Sequence, residues 1–387
     1  MIKKKNKKHR GAALLVVLFI VMAITILAYG FMARSDVELA CGQNMALRTA
    51  MDYLAESGLQ HARGLILNPQ DVGTEYWMGA TGQQLITGSS DYYDVTVTRL
   101  DPCTCNYQIT SEAYRQKGTE KIGRSSLTGE LRLDPCIALW TGTSWNSESG
   151  KTTVSGDVYC NGDLSGGAAI NGDAFARGSI TATVLGAKNP NLTESPIALP
   201  GFSTSDFSSS YYVGTSNYSA DTIAVTDLTG NYNWSAGNPA GVFYCNGDVN
   251  MPSDVHINGM LVVNGNLTVK GTGNVITAVK NFPALLVGGE LGGELIMEDG
   301  ATLEIDGLAQ IENRISVKNG AENVHVTVNG ALFILNGSVA GLASSAGSTL
   351  KVTAAPDKAA IQVVPQSGTL VRWSPAAGAF FRSIRRQ

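Results

Sequence analysis

An uncharged apolar run near the N-terminus constrains the fold more than any other feature of the chain. It extends over 22 residues, from Ala12 to Ala33. A helix of that length rises about 30 Å, which matches the hydrocarbon core of a bilayer. The run therefore predicts a transmembrane helix. It is too long for a simple cleaved secretory signal, whose apolar region usually has about 7–15 residues.

The flanking charges predict how this helix is oriented. Five lysines and one arginine lie between Lys3 and Arg10, with no acidic residue among them. The positive-inside rule places this block in the cytoplasm and everything after Arg34 on the other side of the membrane. The block is the only dense basic segment in a chain of net charge −4, so we expect no nucleic-acid partner.

Apolar positions continue at helical spacing beyond the uncharged run, and no proline occurs before Pro69. We predict one helix over residues 12–67, with a membrane half and an amphipathic half that lies in water. The membrane half contains Leu14, Val16, Phe19, Ile20, Ile24 and Leu27. Such a helix packs better in a bundle of similar helices than as a lone anchor.

The N-terminal region resembles a known family. A short basic leader that ends in Gly11, an apolar helix directly after it and an amphipathic extension are similar to type IV prepilins and type II secretion pseudopilins. The segments RGAALLVVLFIV and YLAESGLQHARGLI most resemble the PilX-type N-terminal region and the K pseudopilin. The resemblance covers about residues 1–70 and carries no information on the rest of the chain.

The resemblance implies a leader over residues 1–11, which prepilin peptidase removes between Gly11 and Ala12. It also implies a single-pass protein of the bacterial inner membrane, with its head outside the cytoplasm. Other pilins or pseudopilins are then its partners through the N-terminal helix, in a pilus or a pseudopilus.

Position 16 departs from the pattern of the major pilins, which carry Glu at the fifth mature residue. This chain has Val16 there. In the family, that carboxylate pairs with the N-terminal amine of a neighbouring subunit inside the apolar fibre core, because a buried charge needs a partner. Val16 needs none, which favours a subunit at the tip or the start of a fibre. The alternative is that Val16 simply fills the membrane segment.

Alternating residues predict a small antiparallel β-sheet within residues 68–140, packed on the water-exposed half of the helix. The three expected strands cover residues 91–100, 105–117 and 124–133. Together with the helix they form the first part of an α+β fold.

Six cysteines, an even number, favour an oxidising compartment. The tetrapeptide LDPC ends in both Cys103 and Cys136, and the near-copies YCNGDL and YCNGDV contain Cys160 and Cys245. We predict a disulfide between Cys136 and either Cys103 or Cys105, and a second between Cys160 and Cys245. The Cys-x-Cys pair lacks a second metal-binding knuckle, so no metal or other cofactor is expected.

Short apolar runs separated by Asn-Gly or Gly-Asp fill residues 152–184 and 243–355. Their length favours a parallel β-helix of stacked short strands over the alternative, a meander of hairpins. Residues 185–242 are polar, aromatic and weakly periodic, which predicts an insertion loop. Residues 356–387 are predicted to cap the open end of the coil.

These features predict a minor pilin or pseudopilin-like subunit of a type IV pilus or type II secretion filament. Its large β-helical head is a candidate for adhesion, with a glycan or another surface ligand. The alternative is a singly anchored surface adhesin that never polymerises. No catalytic motif stands out, and the acidic residues of the β-rich region follow glycine at turns, so we expect no enzyme.

Overall fold

The computed structural model describes residues 10–67, 78–101, 105–147, 150–224, 226–289 and 293–386. One long helix, α1 (Arg10–Leu67), is followed by a large β-rich region, so the fold is α+β as predicted. Helix α1 is described as far as Leu67, two residues before Pro69. Its 58 residues correspond to a rod of about 87 Å.

An antiparallel sheet packs against the second half of α1. Its strands, numbered in chain order, are β1 (Gly79–Gln83), β2 (Asp91–Asp101), β3 (Asn106–Lys117) and β4 (Glu120–Leu133). Alternate residues of β2 and β3 point to the helix and are buried, among them Val95, Val97 and Ile109. We call α1 after Leu47 together with this sheet the head.

The last strand of the head comes from the other end of the chain. β32 (Ala379–Arg386) pairs with β4 in antiparallel register, from Ala379 opposite Leu133 to Arg386 opposite Leu127. The prediction that residues 356–387 cap a coil is therefore wrong for this segment. Without β32, the outer edge of β4 would be open. The backbone N–H and C=O groups of β32 pair with those of β4 along this edge.

Most of the remaining strands form three parallel ladders, which the chain visits in turn. The first ladder contains β5 (Ile137–Thr141), β8 (Asp157–Cys160), β11 (Ala174–Ala176), β12 (Lys188–Asn189), β15 (Asp221–Ile223), β17 (Val242–Asn246), β20 (Met260–Asn264) and β23 (Leu285–Gly288). The second contains β7 (Thr152–Ser155), β10 (Ala169–Ile170), β16 (Asn231–Asn233), β19 (His256–Asn258), β22 (Asn274–Thr277) and β29 (Thr349–Ala354).

Two long strands, β25 (Thr302–Ile311) and β27 (His325–Ile334), belong to both of these ladders. The third ladder contains β18 (Val249–Met251), β21 (Leu267–Val269), β24 (Glu294–Met297), β26 (Arg314–Val317) and β28 (Val339–Ala340), and a separate pair joins β6 (Trp145–Ser147) to β9 (Leu164–Gly166). Pairing within the ladders is parallel, unlike that of a meander of hairpins. We call residues 137–189 and 221–354 the coil region.

The order of strands along the first ladder differs from their order in the chain. From one end it runs β15, β17, β20, β23, β25, β27 and then β5, β8, β11, β12. The block that comes later in the sequence thus precedes the earlier block in space, and the two meet where Leu332 pairs with Leu139. The chain enters the coil region at this seam, through β5, and not at the predicted residue 152.

A lateral layer covers the outer surface of the first ladder. It contains a 3-10 helix (Thr204–Phe207), the strands β13 (Ser210–Val213), β14 (Ser216–Ser219), β30 (Ile361–Pro365) and β31 (Val371–Trp373), and the short helix α2 (Pro356–Ala359). Residues 185–242, predicted to be a loop, therefore contribute strands both to this layer and to the ladders. Phe207 and Tyr211 of this segment are buried in a second apolar core against Met260 and Val262.

Candidate assembly helix and its attachment

The predicted cleavage residues lie at the start of the described chain. Gly11 and Ala12 belong to the first turn of α1. Residues 1–9 of the predicted leader lie outside the described residues, as does the side chain of Ala12.

The six apolar residues predicted for the membrane half are all exposed, from Ile20 at 53% to Leu14 at 75%. Helix α1 contains an 18-residue window with a mean hydropathy of 2.8, and none of that window is buried. Within the described ranges α1 is the single helix long and apolar enough to cross a membrane. Exposed apolar side chains continue past Ala33, at Val37, Leu39 and Met45.

The second half of α1 has a buried face of small and large apolar residues at helical spacing. Its members are Met51, Leu54, Ala55, Leu59, Ala62 and Ile66. The approach to the sheet is close at Gly58, where an added Cβ would lie 2.1 Å from Ser111 Oγ. Gly58 thus allows close packing, since a side chain there would collide with Ser111 and crowd Tyr93.

Polar contacts fix the helix to three parts of the head. The Ser125 hydroxyl of β4 donates a hydrogen bond to Asp52 Oδ1 at 2.6 Å, and the Arg386 guanidinium of β32 pairs with the same oxygen. Tyr93 of β2 contacts His61 Nδ1 at 3.0 Å, and burial raises the pKa of Tyr93. The folded head therefore holds the helix from Leu47 onward, and among the described residues the side chains from 14 to 46 are exposed.

A disulfide ties the start of β3 to the segment that enters the coil region, and two backbone hydrogen bonds tie that segment to the one that returns to β32. Cys105 is bonded to Cys136, so of the two predicted partners for Cys136 the structure has Cys105. Cys103 lies outside the described residues. The amide of Ile137 donates to Pro375 O, and the amide of Asp134 donates to Gly378 O. The segment that enters the coil region and the segment that leads back into β32 are thereby held side by side.

The buried carboxylate of Asp157 stabilises this junction. Its Oδ2 accepts the Cys136 amide at 2.7 Å, and its Oδ1 accepts the Asp173 amide at 2.8 Å. Burial outweighs these two hydrogen bonds and raises the pKa of Asp157 to about 6. Asp157 and Asp173 line a cavity of about 300 Å³ together with Arg132, whose Nη2 lies 3.7 Å from Asp173 Oδ2. Both carboxylates of this cavity therefore already have partners within the protein.

The predicted disulfide between Cys160 and Cys245 is wrong, since both residues are buried free cysteines. Both lie in the first ladder, where six strand-to-strand pairings separate them. The residues paired in order between Cys245 and Cys160 are 263, 287, 311, 334 and 141. At about 4.8 Å per step the separation is about 29 Å, whereas a disulfide needs Cα atoms within about 7 Å. Burial raises the pKa of both thiols, that of Cys245 to about 12.

Three acidic side chains at turns of the coil region each accept a hydrogen bond from a backbone amide of an adjacent step of the ladders. The Ser179 amide donates to Asp163, the Ala187 amide to Asp173 and the Asn266 amide to Asp248, all at 2.7 Å. The part of the chain that the structure describes contains no group of three side chains that could hold a metal ion.

Comparison with known proteins adds one finding. No protein-family model and no curated protein matches the chain. Among solved structures, the chain is similar to the competence-associated pilin ComZ from Thermus thermophilus, with 10% sequence identity over 80% of this chain and 87% of that one. The TM-score is 0.24, which is too low to establish a shared fold.

Proposed function

We propose that this chain is a minor pilin-like subunit that joins a type IV pilus or a type II secretion filament through α1. One observation carries the proposal: the first half of α1 projects from the folded body with its apolar side chains exposed, while the second half is buried in the head. An exposed apolar rod of this length needs lipid or other helices around it.

Helix α1 lies first in the membrane and later in a bundle of helices from other subunits. In the inner membrane, α1 anchors the subunit with the head outside the cytoplasm. After prepilin peptidase frees Ala12, the helix leaves the bilayer and packs among the helices of neighbouring subunits. Val16 brings no buried charge into that bundle, which supports a place at the tip or the start of the fibre.

We assign the coil region as a parallel β-helix that presents the lateral layer to a ligand, without catalysis. The three parallel ladders and their shared strands support this assignment. The carboxylates at the turns accept backbone hydrogen bonds between successive strands, which gives them a structural role.

The mass of the N-terminus tests the proposal. With Gly11→Leu, we expect native membranes to contain the chain with its leader still attached, because a bulky residue at the cut site blocks the peptidase. Gly30→Leu is the matched control: it adds the same side chain to the same helix, where nothing lies within 4 Å. The control should start at Ala12. Wild-type protein that keeps Met1 would instead favour the singly anchored adhesin.

A further inference from the structure

A buried carboxylate lies where the head meets the coil region. Asp157 of β8 is 5% exposed and lines the cavity of about 300 Å³ between the end of β4, β32 and the turns that precede β8 and β11. Its two oxygens accept one amide from Cys136, in the segment that enters the coil region, and one from Asp173, directly before β11. Asp157 therefore joins the segment that leaves the head to the adjacent steps of the coil region.

The carboxylate of Asp157 is buried without a counter-ion. Among the described residues no ion pair includes Asp157, and both of its hydrogen bonds come from uncharged backbone amides. The guanidinium of Arg132 lies instead within ion-pair distance of Asp173, at 3.7 Å, and of Asp134, at 3.9 Å. Because a buried charge without a counter-ion is costly, the surroundings of Asp157 favour its protonated, neutral form.

The charged groups around Asp157 come from each part of the junction. They are Arg132 of β4, Asp134 of the entering segment, Asp173 before β11 and the exposed Arg382 of β32. Burial is the largest cause that raises the pKa of Asp157 to about 6, and the negative charges of Asp173 and Asp134 also raise it. The two amide hydrogen bonds act in the opposite direction and are outweighed.

Opening of the junction changes the proton affinity of this carboxylate. When water reaches Asp157, its pKa returns towards the ordinary value of 3.8. The closed junction thus binds a proton more tightly than the open one, so acidification below pH 6 favours the closed form, and this gain is lost as the pH rises from about 4 to 6. The two pKa values predict a closing equilibrium about 20-fold more favourable at pH 4.5 than at pH 7.5.

We propose that Asp157 is a proton-controlled lock between the head and the coil region, which holds the junction closed most firmly when the carboxyl is protonated. In the protonated form one oxygen still accepts an amide, so the lock keeps a hydrogen bond and loses the buried charge. The coupling between the head and the coil region is then strongest in acidic surroundings. This proposal does not depend on membership of a fibre.

Amide hydrogen exchange of the full chain in detergent tests the lock. Peptides that cover residues 134–141 and 170–176 contain the two amides that Asp157 accepts. Their exchange is measured from pH 4.5 to 7.5 and corrected for the intrinsic pH dependence of amide exchange. We expect protection of both peptides to be about 20-fold higher at pH 4.5 than at pH 7.5. A reference peptide over residues 260–264 of β20, four strand pairings from β5, should not follow this profile.

Asp157→Asn separates the lock from other effects of pH. The neutral amide imitates the protonated carboxyl, so protection of the two junction peptides should stay high and nearly independent of pH. Asp163→Asn is the matched control, since Asp163 is exposed at another turn of the coil region and accepts the Ser179 amide at 2.7 Å. This control should keep the wild-type profile.

A second variant keeps the test decisive if Asp157→Asn does not fold. Asp173→Asn removes a neighbouring negative charge and frees Arg132, and both changes lower the pKa of Asp157. Protection should then begin to rise only at a lower pH than in the wild type. Three results would overturn the proposal: wild-type protection that does not rise on acidification, a wild-type profile in Asp157→Asn, or an unchanged onset in Asp173→Asn.

Discussion

Glycines at one corner of the coil region allow successive strands to stack. At Gly330 an added Cβ would lie 2.0 Å from the carbonyl oxygen of Gly307, and at Gly259 it would lie 2.2 Å from that of Gly241. These glycines follow the second ladder and precede the first, where the chain turns at each step. The stacked backbones leave no room for a side chain, which explains the glycine of the Asn-Gly pairs at 258–259 and 329–330.

Gly330→Ala should therefore lower the free energy of unfolding by more than about 1 kcal/mol, because the backbone of the adjacent strand must move. Denaturant unfolding of the full chain in detergent measures this change. Gly201→Ala is the matched control, since nothing lies within 4 Å of its added Cβ, and it should change stability by less than about 0.5 kcal/mol. Equal stability of the two variants would contradict the stacked corner.

Helix α1 and the C-terminal strand meet at a single carboxylate. Asp52 accepts a hydrogen bond from Ser125 of β4 and pairs with Arg386 of β32. This contact links the helix and the C-terminal strand to the same sheet.

Asp52→Ala should loosen β32 more than the rest of the sheet, because Arg386 loses its partner near the end of the strand. We expect faster amide hydrogen exchange in residues 379–386 and a loss of about 1 kcal/mol of local stability. The exposed Glu56, one turn further along α1, supplies the control Glu56→Ala. If exchange in β32 rises equally in both variants, the contact does not hold the strand.

Local sequence patterns predicted the elements of the head but not all of their partners. The helical spacing to Leu67 and the alternation in residues 91–133 depend on near neighbours, so the sequence reveals them. β32 also alternates, but its partner β4 lies about 250 residues away in the chain. Nothing in the segment AFFRSIRR distinguishes a strand of the head sheet from a cap on a coil.

At the scale of the whole molecule, repeated sequence motifs do not predict which strands pair. The two YCNGD copies predict contact between Cys160 and Cys245, yet each marks the same corner of a different step in the first ladder. Motifs that repeat along a stack occupy equivalent positions and need not touch. The seam between Leu332 and Leu139 was equally hidden, because the spatial order of the two blocks reverses their order in the chain.

Differential alkylation tests this arrangement. In the folded, unreduced chain, Cys160 and Cys245 should resist a thiol reagent because they are buried and their raised pKa values keep them protonated. Both should react after unfolding without reductant, whereas Cys105 and Cys136 should react only after reduction. The exposed Cys41 is an internal control that reacts in the folded chain. A peptide in which Cys160 and Cys245 are linked would contradict the ladder order.

Photo-crosslinking from the exposed half of α1 in native membranes tests the central claim most directly. A photoreactive phenylalanine at Val37, which is 69% exposed, is compared with the same residue at the exposed Lys351 of β29. We predict adducts with other filament subunits from position 37 and none of these adducts from position 351. If position 37 yields no adduct with any filament subunit, α1 is a membrane anchor and not an assembly helix.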